Sequence, residues 1–130
     1  MKNVPDTVLG RMYRDHISFI VNKDIESLLN QYTNDALLIS SFTKQPLYYK
    51  GREQVREHMN GILAISGLDS DIAFWAETDD PQTLMIVEAI TMQTDAGEQH
   101  MRFADSWVLR DGKIAIHFAG MTQYPDGSVA

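Results

Sequence analysis

The sequence predicts an α+β fold, with three helices in its first half and an antiparallel sheet in its second. Two changes along the chain carry this reading. Apolar residues recur at three- and four-residue spacing up to about residue 65, and after Gly67 the spacing falls to two. The Asp111-Gly112 pair between alternating apolar runs adds a strong hairpin signal.

Residues 6–22 read as the first helix. Val8, Leu9, Met12, Tyr13, His16, Phe19 and Ile20 make one stripe, and Asp6 or Thr7 can cap its start. A second helix is expected over 24–32, capped by Asp24, with Ile25, Leu28, Leu29 and Tyr32 on one side. Residues 36–42 are a strand candidate, and Pro46 makes 43–50 loop or edge. Gly51 precedes a third helix over 52–65, with Val55, Met59, Ile62 and Leu63 inward. Strands follow at 70–78, 83–94, 98–110 and 113–123, joined as a meander. Residues 124–130 read as a loose tail, and the chain has no repeat, linker or low-complexity tract. The methionines, Met12, Met59, Met85, Met92 and Met121 among them, are expected to fill irregular core space.

A chain of 130 residues fits a single domain. Its 18 acidic and 11 basic residues leave a net charge of -7, which disfavours nucleic acid and acidic membrane surfaces as partners. A neutral or cationic small molecule, or another protein, fits better. The absence of cysteine excludes disulfides, thiolate zinc sites and thiol nucleophiles. The four histidines lie far apart with no metal-binding spacing, so no metal is expected; His100, at a strand start, is expected to be exposed. Gly51-Arg52-Glu53-Gln54 lacks the glycines and lysine of a phosphate loop. No apolar run is long enough to span a membrane and none opens the chain, so the expected location is cytoplasmic.

Side chains alternate across a strand, so parity decides which share a face. With Asp105 inward, Met101, Phe103, Trp107 and Leu109 also point in, and Arg102, Ala104, Ser106 and Arg110 point out. A two-residue turn at Ala96-Gly97 pairs Asp105 with Glu88 and turns Leu84, Ile86, Ile90 and Met92 inward. The last hairpin has two solutions. A three-residue loop at 110–112 pairs Asp105 with His117; a two-residue Asp111-Gly112 turn pairs it with Phe118. The first makes Glu88, Asp105 and His117 a row across three strands and leaves Ile114, Ile116 and Phe118 on the outer face. Such an apolar outer patch predicts a homodimer. Neighbouring carboxylates on a floor of Phe103, Trp107 and Met92 cannot both ionise cheaply, so one should hold its proton.

The segments "NKDIESLLNQYTNDALLISSF", "YKGREQVREHM" and "FADSWVLRDGKI" resemble the nuclear transport factor 2-like superfamily, in its SnoaL-like and ketosteroid isomerase-like branch. Its members include polyketide cyclases, limonene epoxide hydrolases and scytalone dehydratases. The resemblance spans nearly the whole chain and implies a cone-shaped, cystatin-like α+β barrel: three helices wrapped on a curved sheet around a pocket. It also implies roles. Asp105 matches an oxyanion-hole aspartate and Tyr32 a supporting tyrosine; His16 stands where a helix tyrosine would be, and Ser40 where the base would be. Isomerases of this kind illustrate a carboxylic acid kept neutral by an apolar site.

The expected function is cofactor-free acid/base chemistry on a small, apolar, carbonyl-bearing molecule: isomerisation, cyclisation or dehydration. Asp105, His117, Glu88 and His16 are the catalytic candidates. Tyr32, Ser40, His58, Phe103, Trp107 and Met92 are the substrate-binding candidates. A serine at position 40 is no base without a partner, which favours an alternative, a non-catalytic small-molecule-binding or dimeric accessory protein. A third reading, an interaction module using only the outer sheet face, predicts a filled interior.

Overall fold

A computed structural model describes residues 3–43 and 45–124 of the chain. The predicted loose tail lies, but for Tyr124, outside the described residues. The elements are α1 (Val8–Val21), α2 (Ile25–Leu29), β1 (Tyr32–Ser41), β2 (Leu47–Lys50), α3 (Arg52–Leu63), β3 (Ser66–Asp79), β4 (Gln82–Thr94), β5 (Gly97–Arg110) and β6 (Lys113–Gln123). Six strands form one curved, unclosed sheet in the order β2-β1-β6-β5-β4-β3. All pairings are antiparallel except β1 with β6, which is parallel.

Thr7 starts α1, its hydroxyl accepting from the Gly10 N–H at 2.9 Å. Gly10 is required by close approach: a Cβ there would lie 1.8 Å from the Pro5 carbonyl oxygen. The α1 stripe buries Leu9, Tyr13, His16 and Ile20, but Val8 sits at the helix start and is exposed. Asp24 caps α2 through the Ser27 N–H. That helix ends at Leu29, three residues earlier than its apolar spacing suggests. Tyr32 belongs instead to β1, because its strand hydrogen-bonds beside β6 and buries the ring completely.

Two of the three hairpins of the meander correct the predicted registers. The β4–β5 turn is Asp95-Ala96, so Asp105 faces Ile86, and Glu88 faces Phe103. The slip is two residues, an even number, so every predicted facing survives. At β5–β6, Asp111 (φ 53°) and Gly112 (φ 76°) form a two-residue turn with both residues left-handed. An irregularity then leaves Ala115 without a partner on β5, between the pairs Leu109↔Ile114 and Val108↔Ile116. This bulge restores the other parity. Asp105 therefore faces Ala119, not His117 or Phe118, while His117 sits opposite Trp107 and still points inward. The tight turn itself sets Ile114 opposite Leu109 and so in the core, at 0% exposure, not on the expected outer face, and the bulge after it leaves Ile116 and Phe118 outside.

The helices cover the concave side of the sheet. Tyr13 and His16 of α1 reach Trp107 on β5, with ring centroids 6.1 and 4.9 Å apart. Leu28, Leu29, Tyr32, Val55 and Ile114 close the core below them. Met59 fills core space as expected, but Met85 is exposed on the convex side, because its parity on β4 opposes that of Leu84 and Ile86. Among the described residues no helix is long and apolar enough to cross a membrane.

Candidate functional site

Between α1, α3 and the concave face lies an apolar cavity of about 200 Å³. Ile17, Ile20, Met59, Ile62, Leu68 and Ile90 supply much of its wall. Strand parity aims the polar exceptions inward from adjacent strands: Glu88 from β4, Asp105 from β5 and His117 from β6. An unfilled apolar chamber with a few convergent polar groups is the usual form of a small-molecule site. It is at odds with a solidly packed interaction module.

The polar groups are joined in one hydrogen-bonded chain. Tyr13 donates its hydroxyl to Glu88 Oε2 at 2.6 Å, and Ser70 donates to the same oxygen at 2.8 Å. The Glu88 and Asp105 carboxyls project from diagonal positions on β4 and β5 into the same cavity and shift each other's titration. Asp105 Oδ1 lies 2.9 Å from His117 Nε2, and His117 Nδ1 lies 2.8 Å from the Tyr32 hydroxyl. Tyr13, Tyr32, Glu88 and His117 are all buried, and the Asp105 side chain retains 13% exposure.

Burial decides where the protons sit. Loss of water raises the Glu88 pKa well above the ordinary carboxylate range, and the nearby Asp105 charge pushes it further. Burial also raises Asp105, but a hydrogen bond from Glu88 opposes the rise. Two interacting carboxyls titrate as a pair, and of the two Glu88 is pushed up the further, so it keeps its proton the longer as pH rises. Burial lowers His117 to about 4, so the ring is neutral at physiological pH. An ionised Asp105 only accepts, so His117 Nε2 carries the ring proton and Nδ1 accepts from Tyr32. Burial likewise lowers His16 and His58 to about 4.

The structure gathers most of the residues predicted from sequence. Asp105, His117, Glu88, His16, His58, Phe103, Trp107 and Met92 all line the cavity. His58 stacks on Phe42 at 5.3 Å and tilts against Tyr49 at 5.0 Å. Two predicted residues do not line it. Ser40 is buried between Leu47 and Ala119 in the sheet, and Tyr32 lies behind His117, reaching the site only through that ring. Two members of the chain were missed. Tyr13 had a signal, since it stands three residues before His16 on the same stripe. Ser70 had none, because register shifts along β3 hide its parity. His100 is exposed, at a side-chain exposure of 71%, on the rim of the sheet. Among the described residues, no three histidine or carboxylate side chains are disposed to hold a metal ion.

Residues 13–117 match the family model described as SnoaL-like domain. No curated protein sequence matches the chain. Several solved structures share its fold. The epoxide hydrolase/cyclase-like enzyme SalBIII, of pyran ring formation in the polyether salinomycin, superposes with a TM-score of 0.71 at 14% identity, covering 85% of this chain and 88% of that one. TerC, crystallised with polyporic acid, gives 0.71 at 15% identity over 88% and 92%. RV0760c from Mycobacterium tuberculosis, in complex with estradiol-17beta-hemisuccinate, gives 0.68 at 16% identity over 82% and 88%. At these identities the likeness is one of fold.

Proposed function

The chain belongs to the SnoaL-like domain family of the nuclear transport factor 2-like superfamily, and from that premise we propose that it is a cofactor-free acid/base enzyme of the isomerase or cyclase type. The observation that carries this reading is the pair of carboxyls, Glu88 and Asp105, which adjacent strands aim into one apolar cavity and which shift each other's titration. One is held protonated and the other ionised, so an acid and a base sit side by side. Asp105 removes a proton from a carbon next to a carbonyl, and the C–H electrons pass into an enolate. Glu88 supplies the proton that quenches the charge or is returned at a new carbon. His117 holds Asp105 by its Nε2–H, and Tyr32 holds His117. The cavity, at about 200 Å³, is somewhat larger than the ~150 Å³ apolar cavities that take benzene, so a substrate of one ring and short substituents fits. Folds of this kind accept small organic ligands in TerC and RV0760c, which supports the same use here.

Hydrogen exchange tests the reading. In deuterium oxide the protein is expected to incorporate deuterium next to the carbonyl of monocyclic enones and β-diketones faster than buffer does. A second reading, ligand binding without turnover, is favoured by the serine at position 40. It predicts that such compounds bind and displace one another with no exchange above buffer.

The outer sheet face supports a homodimer. Phe118 (40% exposed) and Ile116 (42%) of β6 continue through Ser106 to Met85 (52%) and on to Phe74 (55%). A two-fold dimer uses the same patch on both subunits, and this face offers an apolar one. The expected result by sedimentation velocity is a dimer for the wild type and a monomer for Phe118→Glu, with the fold unchanged by circular dichroism. A wild-type monomer at all concentrations would remove the dimer.

A further inference from the structure

His16 belongs to the cavity wall, yet its proton is committed elsewhere. Its Nδ1 lies 2.9 Å from Gln31 Oε1, and Gln31 Nε2 lies 2.9 Å from the Met12 carbonyl oxygen. A main-chain carbonyl only accepts, so the Gln31 atom facing it must be the amide NH₂. Oε1 therefore faces His16 and accepts, and Nδ1 must donate. A neutral imidazole has one N–H, so Nε2 carries a bare lone pair. It makes no hydrogen bond to any described residue, although His16 is only 6% exposed. Its ring neighbours are Trp107 at 4.9 Å, His117 at 6.1 Å and Tyr32 at 6.5 Å. The His117 nitrogens serve Asp105 and Tyr32, and the Tyr32 hydroxyl serves His117.

An unpartnered acceptor on a residue that lines an empty chamber is open to a donor from the ligand. We propose that Gln31 is a positioning residue that locks His16 in the Nδ1–H tautomer, and that the cavity consequently takes a hydroxyl-bearing molecule whose O–H donates to His16 Nε2. This rests on the cavity being a ligand site, as above. It narrows the ligand class from apolar carbonyl compounds to those that also carry a phenol, enol or alcohol. A plain ketone would leave the lone pair unmet, since two acceptors do not bond. Burial and the neighbouring His117 keep the ring neutral, outweighing the Gln31 hydrogen bond and Glu88, which favour a charge.

Long-range ¹H–¹⁵N spectra of the labelled protein at neutral pH read the tautomer directly, with His16→Gln used for assignment. The expected wild-type spectrum has a protonated Nδ1 and a pyridine-type Nε2. Gln31→Leu is expected to release the lock and bring in the other tautomer. A wild-type Nε2–H, or a Gln31→Leu spectrum identical to wild type, overturns the lock. Gln31→Glu serves if the leucine variant does not fold: its carboxylate should raise the pH at which the ring gains its second proton, and an unchanged titration overturns the lock equally. The ligand class is read with p-cresol and toluene. Expected is an upfield move of the Nε2 signal with p-cresol and none with toluene. If both shift the cavity methionine methyls and neither moves Nε2, the hydroxyl requirement is wrong while the cavity stands. If neither touches those methyls, the ligand site itself fails, and the proposal with it.

Discussion

Asp105→Asn is expected to slow deuterium incorporation at least about 10²-fold, the usual contribution of a positioned general base. The substitution is close to isosteric. The asparagine carbonyl can still accept from His117 Nε2, so ring, strand and cavity should hold their places. What disappears is the one ionised oxygen facing the chamber. Glu88 cannot take over, because Tyr13 and Ser70 saturate one of its oxygens and burial keeps the carboxyl protonated. The loss should fall on turnover and leave the affinity for a competitive ligand within a few fold. Exchange rates equal to wild type would remove Asp105 from the chemistry.

Acid is expected to destabilise the protein well before its surface carboxylates titrate. His16, His58 and His117 each have a pKa lowered from 6.5 to about 4. The folded state thus refuses protons that the unfolded chain accepts, and this contribution to stability is present above 6.5 and lost as pH falls toward 4. Glu88 and Asp105 act with the opposite sign. Their raised pKa values stabilise the fold below their ordinary range and cost stability as pH rises, so they regain some of the loss on acidification. Three rings against two carboxyls leave a net uptake of at least one proton on unfolding. At about 1.4 kcal/mol per pH unit per proton, this costs roughly 2–4 kcal/mol between neutral pH and about pH 5. That is a large share of a small domain's total stability. Urea unfolding at the two pH values measures it. His58→Phe, which suits the stack with Phe42, should make the profile shallower by about one proton. A flat profile for the wild type would show that the three rings are not held neutral.

The architecture was legible because its signals are local. The α1 stripe, the Thr7 and Asp24 caps and the Asp111-Gly112 turn each act within a few residues. Registers were not, because they depend on pairings that no short window contains. The two-residue shift at β4–β5 left every face intact, since side chains repeat with period two. At β6, Ala115 alone decided the outcome: without its bulge, the tight turn would have sent His117 outward and turned Ile116 and Phe118 inward. The predicted facing of His117 was thus reached through a loop that does not exist. Ser40 illustrates the converse. Its position along β1 suggests a pocket residue, but the sheet buries it between its neighbours instead. The Tyr13 and Ser70 hydrogen bonds to Glu88 span 75 and 18 residues and required the folded chain to appear.

Infrared difference spectroscopy across a pH titration tests the shared proton most directly. Wild type at neutral pH should show the carbonyl stretch of one buried, protonated carboxylic acid, shifted by exchange into deuterium oxide and absent from Glu88→Gln. Spectra showing Glu88 and Asp105 both ionised at neutral pH would contradict the account, because the cavity would then hold two bases and no acid.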